Sequence, residues 1–332
     1  MLLSAAGLPV LCLWLIATTF SNAVAAPGRS LSTSPLIVSE AGVFAFDPNT
    51  LAIRWRQLRD QQTLQPVVSD KRVYVTGSRG LYAIALDSGE MIWQRPSARG
   101  GFPPVLHGQQ IYLASRDGSL QAIDAADGSL LWQRRFPGWV YPPAYREGLL
   151  FTGGSEGYLW AVDIRDGAIR WSFPLGQELV YSPLALDGGQ IIATTFNREV
   201  LSIDHQGELL WRQRYGAIVS DPLALDGQLI FKGLDHQLHA VDEKDGDVLW
   251  RRQLPERLAV DLQHRRGVLV ASLESGRVWE LDAYSGELQQ EYRLPGEPIA
   301  APQLVGEGVL GFIRAFDGPK AVFLNRSHNP KE

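Results

Sequence analysis

Tryptophan recurs through this chain at Trp55, Trp93, Trp132, Trp171, Trp211 and Trp250, at intervals of 38, 39, 39, 40 and 39 residues. The text ahead of each one repeats as well: FAFDPNTLAIRW, YAIALDSGEMIW, QAIDAADGSLLW, WAVDIRDGAIRW, LSIDHQGELLW and HAVDEKDGDVLW. A unit of about forty residues cannot bury a core of its own, so the copies must stack on one another. No other feature of the sequence narrows the fold as much.

The fourth unit divides into four short runs, over 142–146, 149–153, 158–163 and 168–173. They are broken at Glu147-Gly148, Ser155-Glu156-Gly157 and Asp166-Gly167, which suit tight turns needing positive φ. The third run is apolar at almost every residue, as a strand buried on both faces must be. No stretch carries a helical period. Four antiparallel strands per unit predict an all-β fold, a β-propeller of stacked blades. A parallel β-helix fits less well, because its coils are shorter than this repeat.

In such a ring each outer-strand indole is expected to wedge against the neighbouring blade, so the six tryptophans read as structural. The aspartate eight residues earlier (Asp47, Asp124, Asp163, Asp242) is expected to accept turn amides. Outer-strand arginines (Arg54, Arg56, Arg134, Arg135, Arg212, Arg214, Arg251, Arg252) are expected to face solvent and discourage edge pairing.

Residues 27–47 align without a gap on 65–85, which adds a first unit. A seventh, LDAYSGELQQEY, has Gln290 in place of tryptophan, and an eighth supplies strand-like runs at 299–305, 309–313 and 320–324. Eight blades fit this count; seven remain if one terminal unit is not a blade.

The first 25 residues carry no charged side chain, hold the apolar run LPVLCLWLIATTF and end in Ala23-Val24-Ala25. They are expected to be a signal peptide, leaving 26–332 as a single exported propeller domain, periplasmic or secreted. Thirteen apolar residues are short for a membrane span of roughly 20. The only cysteine, Cys12, lies in this segment, so the expected mature domain has neither disulfides nor cysteine metal sites. A net charge of −5, from 31 Lys+Arg against 36 Asp+Glu, argues against nucleic acid or an anionic membrane as partner.

Chain direction puts the loops entering each first strand, and the turns between second and third strands, on one face. That face collects Phe102, Trp139, Tyr141 and Tyr181, with Asp221 and Asp261 at equivalent entry positions. Its turns add Arg79, Arg116, Asp117, Glu156, Arg198, Asp235, His236 and Glu274. Aromatics ringed by mixed charge are the expected binding surface. His236 and His239 stand three apart on what reads as one strand, so they point to opposite faces and suggest no shared metal. Asp221 and Asp261 could work as acid and base only by meeting near the axis. No catalytic residue is assigned.

The string Ala-x-Asp-x-x-(Asp/Ser)-Gly-x-x-x-Trp resembles the tryptophan-docking repeat of quinoprotein-type β-propellers, and the resemblance covers nearly the whole expected mature chain. That family includes dehydrogenases using pyrroloquinoline quinone with calcium, and the non-enzymatic BamB-type factors of outer-membrane barrel assembly. The enzymes are longer and use an adjacent-cysteine disulfide, which this mature chain could not form. In size and character the chain is similar to the BamB-type members. That likeness implies no cofactor, a protein partner in the cell envelope, and a monomeric interaction scaffold. It departs from them in lacking a lipid-attachment motif, since Leu11 precedes Cys12. The alternative the resemblance implies is a quinone-binding oxidoreductase, with Arg116 and Arg198 pairing the cofactor's carboxylates. Recognition of polysaccharide by the exposed aromatics is a third expectation.

Overall fold

The computed structural model describes residues 36–325, apart from 40–41, 48–49, 51, 70, 97–100, 177–182, 187, 218, 306–307 and 316–317. The expected leader lies outside these residues. Within them the chain forms eight antiparallel sheets in sequence order, six of four strands and two of three. The three-stranded sheets are the first (36–57) and the last (298–325). Each unit counted along the sequence thus forms a sheet of its own. No described helix is long and apolar enough to cross a membrane.

Sheet four shows the repeat, with strands Ala144–Arg146, Leu149–Gly153, Tyr158–Asp163 and Ile169–Pro174. Its turns carry the positive φ that their residues suggest, at Gly148 (81°), Gly157 (75°) and Gly167 (69°). The second and third strands are almost wholly buried, while the outer strand alternates exposed with half-buried residues.

Sheets pack face to face, and each hydrophobic cluster lies between two successive sheets. Tyr112, Leu120, Leu150 and Val162, for example, fill the junction of sheets three and four. The ring closes on itself where Phe44 and Phe46 of the first sheet meet Leu310 and Phe312 of the last. The Phe46 and Phe312 rings lie 5.7 Å apart there. Closure removes the problem of two unpaired faces, and the fold is a β-propeller.

Each repeat indole donates its Nε1–H to a backbone carbonyl of the next sheet. Trp55 reaches Leu86 (2.8 Å), Trp93 reaches Ala125 (3.2 Å) and Trp132 reaches Ile164 (2.9 Å). Trp171 reaches His205 (2.8 Å), Trp211 reaches Glu243 (3.0 Å) and Trp250 reaches Ala283 (3.2 Å). Each ring also rests on a turn glycine: Gly89, Gly128, Gly167, Gly207, Gly246 and Gly286 in turn. A Cβ at any of them would come within 2.6–2.9 Å of the indole. Only Trp55 and Trp211 are buried; the other four are half-buried, so they clamp the rim of each junction instead of filling its core.

Two residues beyond the tryptophan a second clamp recurs. Gln57 donates to Gly89 O (2.7 Å), Arg95 to Gly128 O (3.3 Å), Arg134 to Gly167 O (2.7 Å) and Gln213 to Asp245 O (3.2 Å). The outer-strand arginines are therefore not simply solvated. Arg134 ties two sheets together, Arg252 lies 5.5 Å from the Trp279 ring of the next sheet, and Arg56 lies 4.9 Å from Phe44. The strand-ending aspartates do accept turn amides, from Thr50 at Asp47, Ala126 at Asp124, Arg165 at Asp163 and Lys244 at Asp242. Hydrogen bonds from the Arg165 and Arg170 side chains hold the Asp163 carboxyl well below the usual carboxylate range.

Candidate functional site

The candidate site is built from two entry loops. Phe102-Pro103-Pro104 leads into sheet three and Tyr141-Pro142-Pro143 into sheet four. Proline fixes φ and keeps the residue before it extended, so each ring is delivered on a stiff segment. Hydrogen bonds then lock both loops. Phe102 N donates to Ala114 O (2.9 Å), and Thr76 Oγ1 of sheet two donates to Phe102 O (2.9 Å). Tyr141 N donates to Gly153 O (2.9 Å), and Thr152 Oγ1 to Tyr141 O (2.6 Å). Trp139 N donates to Ser155 Oγ (2.9 Å), while Ser155 N returns a bond to Trp139 O (3.0 Å).

On this frame four of the expected residues converge. The Phe102 and Tyr141 rings are 5.3 Å apart and tilted by 52°. The Arg116 guanidinium lies 5.6 Å from the Phe102 ring centre and 5.4 Å from that of Trp139. Both distances are within cation–π reach. Trp139 keeps 42% of its surface exposed.

A second aromatic group, which sequence reasoning missed, stands in the same junction of sheets three and four. Tyr158, 39% exposed, stacks on Trp160 at 5.8 Å and 20°. Trp160 packs in turn on Phe136, at 4.7 Å. Gly154 lets the two halves meet, since a Cβ there would come within 2.4 Å of Trp160 and 3.1 Å of Trp139 O. The signal for Tyr158 was its place directly after the turn glycine Gly157.

The remaining expected residues do not join this group. Arg198 and His236 hold φ of 66° and 63° at the turn position where Gly118, Gly157 and Gly276 stand in other sheets. The turn itself accounts for their backbone, and Arg198 donates to Gly216 O (3.3 Å). His236 is thus in a turn, not on the strand with His239 as expected. Tyr181 lies outside the described residues. Asp221 falls within the inner strand Val219–Leu225, in the irregular stretch between Ser220 and Leu223.

Asp261 is buried and accepts a 3.1 Å bond from Lys232 Nζ, joining sheets six and seven. It serves as an inter-sheet tie. His239 is also buried, 3.8 Å from Asp235 and with its ring 6.1 Å from Tyr215. Burial pushes this imidazole below its ordinary value, and the Asp235 carboxylate acts in the opposite direction.

The two arginines that the resemblance would pair with a quinone's carboxylates belong to different sheets. Arg116 and Arg198 stand in turns of sheets three and five with separate partners. Among the described residues no three His, Cys, Asp or Glu side chains gather in one place.

Three overlapping stretches, 39–175, 138–216 and 155–306, match the family model described as outer membrane protein assembly factor BamB. The chain belongs to the BamB family. Among solved structures, BamB from Moraxella catarrhalis superposes with a TM-score of 0.72 at 16% identity, covering 90% of this chain and 94% of that one. The computationally designed Ika8 protein superposes with a TM-score of 0.77 at 15% identity, covering 93% and 96%. At such identities the likeness to these two structures concerns the fold alone. No curated protein matches the sequence.

Proposed function

We propose that this BamB-family propeller is a non-enzymatic, monomeric scaffold, exported to the cell envelope, that presents its Phe102–Arg116–Trp139–Tyr141 platform to a protein partner in outer-membrane protein assembly. The observation that carries this function is the platform itself. Tryptophan, tyrosine and arginine are the side chains that dominate protein interface energetics, and here the backbone beneath them is locked before any partner arrives. Two carboxylates of the entry face are occupied in building its turns. Asp117 holds the Ser119 amide and hydroxyl, and Glu256 holds Ser275 and Arg277.

Crosslinking in an envelope extract, comparing the parent protein with Trp139→Ala, tests the function. The parent is expected to capture a discrete partner that the variant loses. Capture of no partner, or equal capture by both proteins, would overturn it.

A further inference from the structure

We infer that the outer rim of sheets five and six is a second docking surface, separate from the aromatic platform, that takes an amphipathic helix of a partner protein. The helix it fits carries glutamate along one flank and lysine along the other. Both outer strands, Leu209–Arg214 and Val248–Gln253, open on two exposed aliphatic residues. Leu209 and Leu210 keep 43% and 49% of their surface, Val248 and Leu249 42% and 52%. The two pairs flank one clamp. Trp211 and Gln213 of sheet five donate to Glu243 O (3.0 Å) and Asp245 O (3.2 Å), in the turn that leads into Val248.

Other sheets hold only parts of this pattern. Sheets one and four carry Arg54 and Arg170 in place of the second aliphatic residue. Sheets two and three keep the pairs, Met91-Ile92 and Leu130-Leu131, but Gln94 and Gln133 follow their tryptophans. In sheets five and six the residue after the tryptophan is Arg212 and Arg251, both exposed.

Charge on this rim is laid out in rows. Ahead of the aliphatic pairs stand exposed Glu208 in sheet five and Asp245 and Asp247 in sheet six, with Lys244 offsetting one of them. Beyond the indoles stand Arg212, Arg214 and Arg251. Arg214 donates to the neutral Asn197 Oδ1 (3.1 Å), although Glu199 stands across from it in the strand pair. Asp245, Asp247 and Arg251 all act on the Tyr215 hydroxyl, so Arg251 is partly neutralised. Arg212, whose cross-strand partner is Leu201, leads the basic row. An occupant with opposite charges on its two flanks complements both rows, and one of a single sign is repelled by one of them.

The width between the rows suits a helix. Glu208 and Arg212 are four residues apart, about 13 Å along a strand at roughly 3.3 Å per residue. A helix with its side chains is about 10–12 Å across, so its apolar stripe can rest on the aliphatic residues while each flank reaches one row. An added strand fits poorly. Leu210 and Leu249 are each the extra residue of a β-bulge, which interrupts the edge that such a strand would need to pair with.

Fluorescence anisotropy with the full chain tests the inference. The probe is a labelled helical peptide with a leucine stripe, glutamate on one flank and lysine on the other. Peptides with glutamate on both flanks, lysine on both, serine for leucine, or a central proline are each expected to bind at least about tenfold more weakly. Leu210→Ser combined with Leu249→Ser, at exposed positions outside the core, is expected to weaken the mixed peptide by a similar factor. Ile92→Ser combined with Leu131→Ser makes the same change on sheets two and three and leaves binding as it was. Arg212→Glu is expected to bind the all-lysine peptide more tightly than the mixed one.

Equal binding of the mixed, all-glutamate and all-lysine peptides would overturn the inference. So would undiminished binding to the Leu210→Ser, Leu249→Ser protein, or full affinity for the proline peptide. Sedimentation showing that the full chain pairs with itself, with pairing lost in that same variant, would overturn it in favour of a second copy. Trp139→Ala is expected to leave the peptide bound as in the parent, so failure on this rim leaves the scaffold function standing.

Discussion

The indole of Trp132 lies flat on Gly167 of the following sheet, and that one glycine meets two separate demands. Its φ of 69° is left-handed, and a Cβ would stand 2.6 Å from the indole. Gly148 shares the first demand without the second, with φ of 81° and nothing within 4 Å of a Cβ. Gly148→Ala should therefore cost about 1–2 kcal/mol, the left-handed penalty alone. Gly167→Ala should cost roughly 1–3 kcal/mol more through overpacking. Chemical denaturation of the two variants measures the difference, and equal losses would show that the ring contact contributes nothing.

Trp171 is half-buried and donates to His205 O at 2.8 Å. Trp171→Ala should destabilise by about 2–4 kcal/mol, near the lower end of losses for fully buried large aromatics. Trp171→Phe keeps a ring on Gly207 and gives up the hydrogen bond, at about 1 kcal/mol. Melting the parent and both variants side by side checks the order.

Half-buried Lys232 and buried Asp261 form a pair across the junction of sheets six and seven. Lys232→Met leaves a carboxylate in the interior without its cation and should cost about 3–5 kcal/mol. A double variant with Asp261→Leu should recover much of that loss. A double variant no more stable than Lys232→Met would refute the pairing as the cause.

The His239 imidazole is held below its ordinary value by burial, although Asp235 pulls it up; Arg251, on the neighbouring strand, acts with burial. The folded state therefore resists the proton that the unfolded chain accepts as pH falls through about 6.5. Stability should drop from pH 7 toward pH 5.5, roughly the window of this titration. His264 is shifted in the same direction by burial, so the informative quantity is a difference. His239→Gln should lose less stability than the parent over the same interval in a pH series of melting curves.

Gln290 occupies the outer-strand place where the first six sheets carry tryptophan. There the indole stands opposite a small residue, Ala122 for Trp132 and Ala161 for Trp171, whereas Gln290 faces Glu280. Glu280 is buried and accepts a 3.1 Å bond from Tyr292. No glycine occurs in residues 319–332 to receive a ring. Gln290→Trp should bring no gain in melting temperature, and a clear rise would contradict the two-part clamp.

The strands were legible because the same alternation is written eight times, so a weak pattern in one unit is corrected by its neighbours. The inter-sheet clamp was only half legible. Tryptophan announces itself by size, but Gly167 reads locally as an ordinary turn residue. Only the near-constant spacing from each tryptophan to the glycine that receives it, 34 to 36 residues, could have joined them. At the candidate site, Phe102 and Tyr141 were found because entry position follows from chain direction. Arg198 and His236 misled because a left-handed turn position is defined by its backbone, and nothing in an arginine or histidine letter reports φ. Tyr158 was overlooked because its exposure depends on Gly154 and Trp160 packing beneath, a relationship between strands that one-dimensional spacing does not carry.

Among the described residues, neither joint beside the last sheet has an indole seated on a glycine, and the first and last sheets meet through Phe44, Phe46, Leu310 and Phe312. A wheel bolted at six joints and pressed together at two should give way first at the unbolted pair as denaturant is raised. In ring order sheet four stands diametrically across from sheet eight, so the Trp139 surface sits about as far from that pair as the circumference allows. Loss of packing there should leave the far rings seated until the clamped joints yield in turn.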